Sequence, residues 1–450
     1  MTDPTPIGPT ENVAPQVPIY YEGEVQESRR GFRELLAFRD FRWIWFSQVT
    51  SQLSDKFLVY SLLTVTYARS RANTQEAIVL LAYTFPSVVL SPIAGVIADR
   101  FDKRLLMILT NVIRGGLILL VPLSSVIPYF QHVTWHLLLI TLLFSCVGQF
   151  FAPAEASALP FIVPRTLLIT ATSVFTLTIV VTLVVGLPIS SVLVVLFGVY
   201  APYYVAAGLF FAAAGFDLAI RSALQARRET TQFDHLGTSW IRRFWKEINE
   251  TIAFVRDQPT LMRAFGQLGL AVMLIFTIFT LSQGYMANVL HLKPQDSYLI
   301  LVPAALGMAA VAGYLGRGHQ GARGGLLTLG LLGLAVALLL MGFGPYVLPH
   351  TLVIPFAAVI GAFFGACFGA VFIPAVTLLQ ESTDPEQRGR IFGAMFTVLN
   401  LAIAVPLFIA GLAADTFGLN LVVIMMGAIL LWVGLLSSRT YLRGRGTPTG

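Results

Sequence analysis

Charge is scarce in this chain. Asp, Glu, Lys and Arg make up 12% of its 450 residues, about half the roughly 25% of water-soluble globular domains. With 56% of the residues hydrophobic and a mean hydropathy of +0.77, one water-bounded core cannot hide the apolar surface, so lipid must solvate much of it. Cysteine is scarcer still. Cys146 and Cys367 both lie in apolar runs, too few for a disulfide framework or a metal centre. The six histidines (His132, His136, His235, His291, His319, His350) fall in loops or near the ends of apolar runs. His132 and His136 stand four apart without an evident third ligand, so a wet outer loop is expected there. No His-Glu-x-x-His, Gly-x-Ser-x-Gly or Gly-x-x-x-x-Gly-Lys-Ser/Thr occurs, which leaves zinc hydrolysis, serine hydrolysis and ATP-driven pumping without a motif. No enzyme and no bound cofactor is expected.

Long apolar runs are abundant. They fall at about 42–68, 77–98, 105–127, 136–157, 167–196 and 203–220, then at 260–290, 297–316, 324–343, 351–380, 390–414 and 419–438. Each is long enough to cross a bilayer, which takes about 20 residues. The expected fold is all-α integral membrane, with twelve transmembrane helices in two pseudo-symmetric six-helix bundles. Residues 1–31 read as a polar, Pro-rich disordered tail without an apolar leader. Residues 32–221 form the first bundle, 222–259 a linker, 260–438 the second bundle and 439–450 a tail. Within the linker Ile241, Phe244, Trp245, Ile248, Ile252 and Val255 recur at helical spacing, the pattern of a helix lying on a membrane surface.

Orientation follows from the basic residues. Of 29 Lys and Arg, 24 fall in the segments on one face. Arg69, Arg71 and Lys293 lie on the other, and Lys56 and Arg114 inside spans. The positive-inside rule then places both termini in the cytoplasm, in an inner or plasma membrane. The net charge of +6 therefore reports topology and anionic lipid contact, not nucleic acid. The halves also resemble each other. Phe151-Ala-Pro-Ala and Phe372-Ile-Pro-Ala, and Phe197-Gly198 and Phe417-Gly418, share nearly one offset, as expected of a duplicated bundle.

The sharpest local signal is Gly95-Val-Ile-Ala-Asp99-Arg100-Phe-Asp102-Lys103-Arg104, between the second and third spans. It resembles the signature loop of the major facilitator superfamily. Gly95 is expected to let two helices approach, and Asp99 to face a helix N-terminus. Arg100, Lys103 and Arg104 are expected to pair with acids such as Glu155. Together with Arg388 and Gly389 of Glu386-Gln-Arg-Gly-Arg-Ile-Phe-Gly393, they form an expected conformational latch. Asp102 replaces the usual second glycine and Leu105 the final basic residue, which is closer to the drug and siderophore exporters that include macrolide efflux proteins and the enterobactin exporter. Pro153-Ala-Glu155, Leu159-Pro160, Val163-Pro-Arg165 and the Trp240–Met262 stretch resemble the same branch. Span five carries Gly186-Leu-Pro188-Ile-Ser190-Ser191 where antiporters of the superfamily often have Gly-Pro and Gly-Gly.

Ionisable groups inside a span cost about 2.5–3.5 kcal/mol on insertion scales, so each needs a reason. Asp55 and Arg114 lie at similar depth, within reach of a salt bridge. Asp55 is either a substrate-facing or proton-carrying group or a static partner of Arg114. Gln48, Ser51, Gln52 and Asp55 share one helical face, expected to line a cavity or a helix interface. Tyr83, Gln283, Asn288 and Asn400 are further cavity candidates, with Phe85, Phe150, Phe175 and Phe372 more in keeping with packing. Asp217 and Asp415, near span ends, are expected to be interfacial. The leading expectation is secondary transport of a small amphipathic compound by alternating access, as a monomer, exporting by proton antiport on the resemblance to the exporter branch. Nutrient import, facilitated diffusion and a non-transporting scaffold stay open.

Overall fold

The computed structural model describes residues 31–131, 133–222, 224, 253, 256, 259–317, 323–381 and 404–445. Lipid offers no partner for a backbone N–H or C=O, so a chain crossing it must satisfy those groups within each segment, as a helix does. Twelve long helices follow among the described residues: α1 (Arg39–Ser70), α2 (Asn73–Arg100), α3 (Lys103–Ser124), α4 (Trp135–Ile162, interrupted at Gln149 and Phe150), α5 (Leu168–Phe197), α6 (Ala201–Leu218), α7 (Pro259–Asn288), α8 (Tyr298–Gly316), α9 (Arg323–Val347), α10 (Val353–Glu381), α11 (described over Ala404–Phe417) and α12 (Leu419–Arg445). Nine of them, among the described residues, are long and apolar enough to cross a membrane. The other three are α1, which carries the polar stripe, α2, and the partly described α11. The twelve form two pseudo-symmetric bundles of six. The 1–30 tail, His132 and the 241–252 part of the linker helix lie outside the described residues, as do Arg388, Gly389 and Asn400.

The bundles repeat each other in packing. In the first, α6 packs on α1 and α3, and α2 on α4. In the second, α12 packs on α9 and α8 on α10, the equivalent pairs. Gly198 and Gly418, the second members of the Phe-Gly repeat, both follow their helices with positive φ, 92° and 89°. That backbone favours glycine, so the repeated dipeptide marks a repeated helix stop.

The two cores differ in chemistry. The second bundle holds one apolar cluster built around Leu331, Leu334, Leu338, Phe364 and Phe368, drawn together by glycine. On α10, Gly361, Gly365 and Gly369 recur every four residues against α8. A Cβ on Gly365 would collide with the Ala304 carbonyl, and one on Gly307 with that of Ala362. Without a hydrophobic drive between helices in lipid, such close backbone contact is what holds them together. The first bundle instead buries Ser47, Gln48, Ser51, Asp55, Asn111, Arg114, Glu155 and Asp217.

Gly365→Ala should therefore lower stability in detergent by about 1–3 kcal/mol through overpacking. Gly313→Ala, on an exposed part of α8 with open space around it, should be neutral or stabilise by up to about 1 kcal/mol. Thermal unfolding of the two purified variants checks the opposite signs.

Candidate functional site

The molecule has two ends: a loop end, where the Gly95–Arg104 segment joins α2 to α3, and a far end, where α1 passes to α2. From the loop end to mid-bundle, a column of polar groups threads the first bundle. Asn111 donates to Asp217 Oδ2 at 2.9 Å, Ser51 donates to Asn111 Oδ1 at 3.2 Å, and Arg114 donates to Ser51 Oγ at 3.3 Å. Arg114 then closes an ion pair with Asp55 Oδ1. Its guanidinium is held between the rings of Phe144 and Phe210, 4.5 and 4.3 Å from their centroids. A cation so enclosed is fixed by both charge and π-face. Asp55 is less enclosed, with 13% of its side chain accessible against 4% for Arg114. Lys56, next to it, packs against Gly186 of α5 and makes no hydrogen bond or ion pair among the described residues.

The halves meet at the far end. Tyr60 of α1 lies against Phe279 of α7, and both belong to an apolar cluster with Leu63, Ala77, Val194 and Leu407 that joins the bundles. Asn288 of α7 donates to the Tyr67 hydroxyl at 2.9 Å. Asp415 of α11 accepts four bonds from the first turn of α2: Asn73 N (2.9 Å), Asn73 Nδ2 (2.8 Å), Thr74 N (2.8 Å) and Thr74 Oγ1 (2.6 Å). The two backbone N–H groups are orphan donors of a helix N-terminus, which also carries a partial positive charge; the other two donors are side chains. Burial pushes the Asp415 carboxyl up, but these bonds outweigh it and hold it below the usual carboxylate range. Toward the loop end, a cavity of about 600 Å³ opens between α5, α8 and α10, lined by residues such as Thr176, Val180, Ala309, Ala312, Phe372 and Val376. Sharing Val184 and Met308 with it, a narrower apolar space of about 110 Å³ reaches inward to Phe279 and Tyr285.

Comparison with known proteins agrees with this architecture. The profile described as Major Facilitator Superfamily matches residues 44–406. The chain belongs to that superfamily. It is 26% identical over 404 residues to the uncharacterized MFS-type transporter YfiS of Bacillus subtilis (strain 168), covering 87% of this chain and 90% of the relative. Among solved structures, the nucleoside transporter NupG superposes with a TM-score of 0.61 at 11% identity, covering 90% of this chain and 99% of NupG. A POT family transporter in complex with 5-aminolevulinic acid gives 0.61 at 12% identity, covering 88% and 94%. At such identities the structures speak for the fold alone. The superfamily makes this protein a membrane transporter of small molecules and not an enzyme.

The superfamily's signature loop is built differently in detail from what its sequence suggests. A Cβ on Gly95 would meet nothing within 4 Å, so no described contact needs a glycine there. Asp99 occupies the last turn of α2, with Arg100 ending the helix. Arg104 does not pair with Glu155. It donates to the backbone carbonyls of Asp217 and Leu218 at the end of α6, where the helix C-terminus attracts a cation. Lys103 is buried with its ammonium over the Phe161 ring. Asp102, the departure from the usual glycine, caps α3 by accepting from Leu105 N at 2.9 Å. Glu155 is buried with Oε1 unpartnered, facing the charge of Asp217. Asp217 is not interfacial but fully buried, because α1 and α3 close over this end of α6.

The polar stripe of α1 also divides. Gln48 donates to the Phe175 carbonyl at 3.3 Å and Ser51 to Asn111, so both serve helix interfaces inside the first bundle. Gln52 remains half-buried. Tyr83 is half-buried and stacks on Phe144 beside the ion pair. Gln283 is fully buried beneath the far-end contact, and Asn288 belongs to that contact itself. Phe85 is exposed, Phe150 half-buried, Phe175 buried and Phe372 stacked on Phe368. His136 is not in a wet loop; it is buried, with Nε2 3.0 Å from Arg69. The glycine repeat of α10 and the Asp415 clasp were missed. The first was readable as Gly-x-x-x-Gly spacing; the second needed the approach of α11 to α2.

Breaking one partner of a buried ion pair costs about 3–5 kcal/mol, because the other charge is stranded. Asp55→Asn and Arg114→Met should each show such a loss in thermal unfolding. The double variant should be less destabilised than the sum by about 0.5–3 kcal/mol; strict additivity would show that the pair is not coupled.

Proposed function

We propose that the protein exports small amphipathic compounds by alternating access, driven by proton antiport. The carrying observation is the asymmetry between its ends: a far end sealed by contacts between the bundles, and an apolar cavity open toward the loop end. That is the shape of one limiting state of a rocking carrier. A cavity lined by Val, Ala, Phe and Thr favours a substrate with a large apolar part. It lies along α5 and α8, whose Leu177, Val181 and Leu306 are exposed, as suits a compound arriving from the lipid.

The loop end is cytoplasmic in this reading, with both termini on that side of the inner membrane, on the distribution of basic residues. Asp55 is the coupling carboxylate. Its Arg114 partner is pinned between two rings while Asp55 keeps part of its surface open, so the acid is the member free to exchange a proton. The Asp99 segment is the loop-end latch, closing when the cavity closes.

Everted membrane vesicles offered a panel of amphipathic dyes should show substrate-induced proton movement. Asp55→Asn should uncouple it, leaving downhill dye movement that no longer varies with pH. Unchanged flux and pH dependence would remove Asp55 from the coupling path. For orientation, a membrane-impermeant thiol reagent should fail to label intact cells at cysteines placed at Asp102 or Arg445. Labelling at one of them only would break the topology.

A further inference from the structure

The far end contains a carboxylic acid that none of the contacts described above explains. Glu76 lies in the first turn of α2, the same turn as the Asn73 and Thr74 donors that Asp415 engages. It is 0% exposed, and neither carboxyl oxygen has a hydrogen-bond partner among the described residues. Among the described residues, the groups around it supply no positive charge. Asp415, from α11, is of like sign. From α1 comes the neutral Tyr67 phenol, already accepting from Asn288, with Arg71 beyond it at the surface. On α7 the one titratable side chain near this end, Tyr285, is turned to the Met341 carbonyl of α9. Arg69, on α1, is committed to the Phe130 carbonyl and His136.

An isolated carboxylate removed from water on all sides is among the costliest groups to bury, whereas the neutral acid costs far less. Glu76 can be sealed in only with a proton on it. The seal is tight because glycine permits it: Gly284 of α7 stands against the Asn73 side chain, and Gly411 of α11 against Ala77, Asn73 and Thr74. Parting α2 from α7 and α11 would admit water to Glu76 and allow the proton to leave.

We propose that Glu76 is a proton-binding site of the far-end gate, occupied while the gate is closed and emptied when it opens. The two neighbouring acids then do opposite work. Asp415, ionised, clasps the N-terminus of α2. Glu76, neutral, tolerates that clasp, and once ionised opposes it by like-charge repulsion. Proton uptake from the far side thus closes the gate on that side, and rising pH opens it. The inference rests on alternating access but not on Asp55 as the coupling residue.

The test is a distance across the far end, read by paired spin labels at the exposed positions Val126 and Val347, with Cys146 and Cys367 replaced by alanine. As pH rises from 5 to 8, the short-distance population of the parent should give way to a longer one. The closed-to-open ratio should change with a slope approaching, at most, about tenfold per pH unit, the limit for one proton. Glu76→Gln, close in shape to the neutral acid, should hold the short distance at every pH. Asp415→Asn, which loses acceptors from the clasp, should shift toward the long one. If Glu76→Gln follows the parent's pH profile, or if the parent ignores pH, the proposal is wrong. If Asp415→Asn also never shows the long distance, alternating access at this end fails with it. Asp415→Asn opening while Glu76→Gln titrates normally removes Glu76 alone.

Discussion

A charge inside a lipid-bounded bundle must be answered by a partner, neutralised by a proton or kept at the surface; the cost of doing otherwise is several kcal/mol per ion. This constraint separates two kinds among the described acids and bases, Lys56 aside. Asp55 and Arg114 answer each other, and two aromatic rings close over the cation. Asp415 is answered by helix donors, Lys103 by a ring face and Arg104 by helix carbonyls. These groups are structural cement in the state observed. Glu76, Glu155 and Asp217 each bury at least one oxygen without a partner. They lie where helices meet at one end or the other, as expected of groups whose surroundings change during a transport cycle.

The apolar runs made the twelve helices legible, because a bilayer fixes both their length and their composition. The Phe-Gly repeat was legible too, since a positive φ selects glycine at both stops. Depth was harder to read. Asp217 stands one residue from the end of α6, yet it is fully buried because Arg104 and the start of α3 fold over that end. Counting residues from a span edge measures height along one helix and says nothing of the helices beside it. The stripe on α1 shows the same limit from another side. Gln48, Ser51 and Asp55 do share a face, but that face meets α3 and α5. The Gly361, Gly365 and Gly369 spacing was present in the sequence but lost among 38 glycines; only the α8 backbone opposite shows which of them lack room for a methyl group.

The second and eleventh helices run in opposite directions, which gives their ends a reciprocal chemistry. Each carries an aspartate near its C-terminus, Asp99 on α2 and Asp415 on α11. At the far end the aspartate of α11 engages the N-terminus of α2. The superfamily signature offers the converse arrangement at the loop end. In the alternating-access reading proposed above, rigid bundles that rock about their middle cannot close both ends together, so a clasp at each end would compete with the other. Asp415 is itself exposed, and two of its four bonds lie at the solvent surface, so water screens the clasp and leaves it weaker than a buried set of charged bonds. A clasp of that kind yields to a modest opposing force. A buried acid of the same sign in the same helix turn, proposed to gain and lose a proton, has the position and the chemistry to supply it.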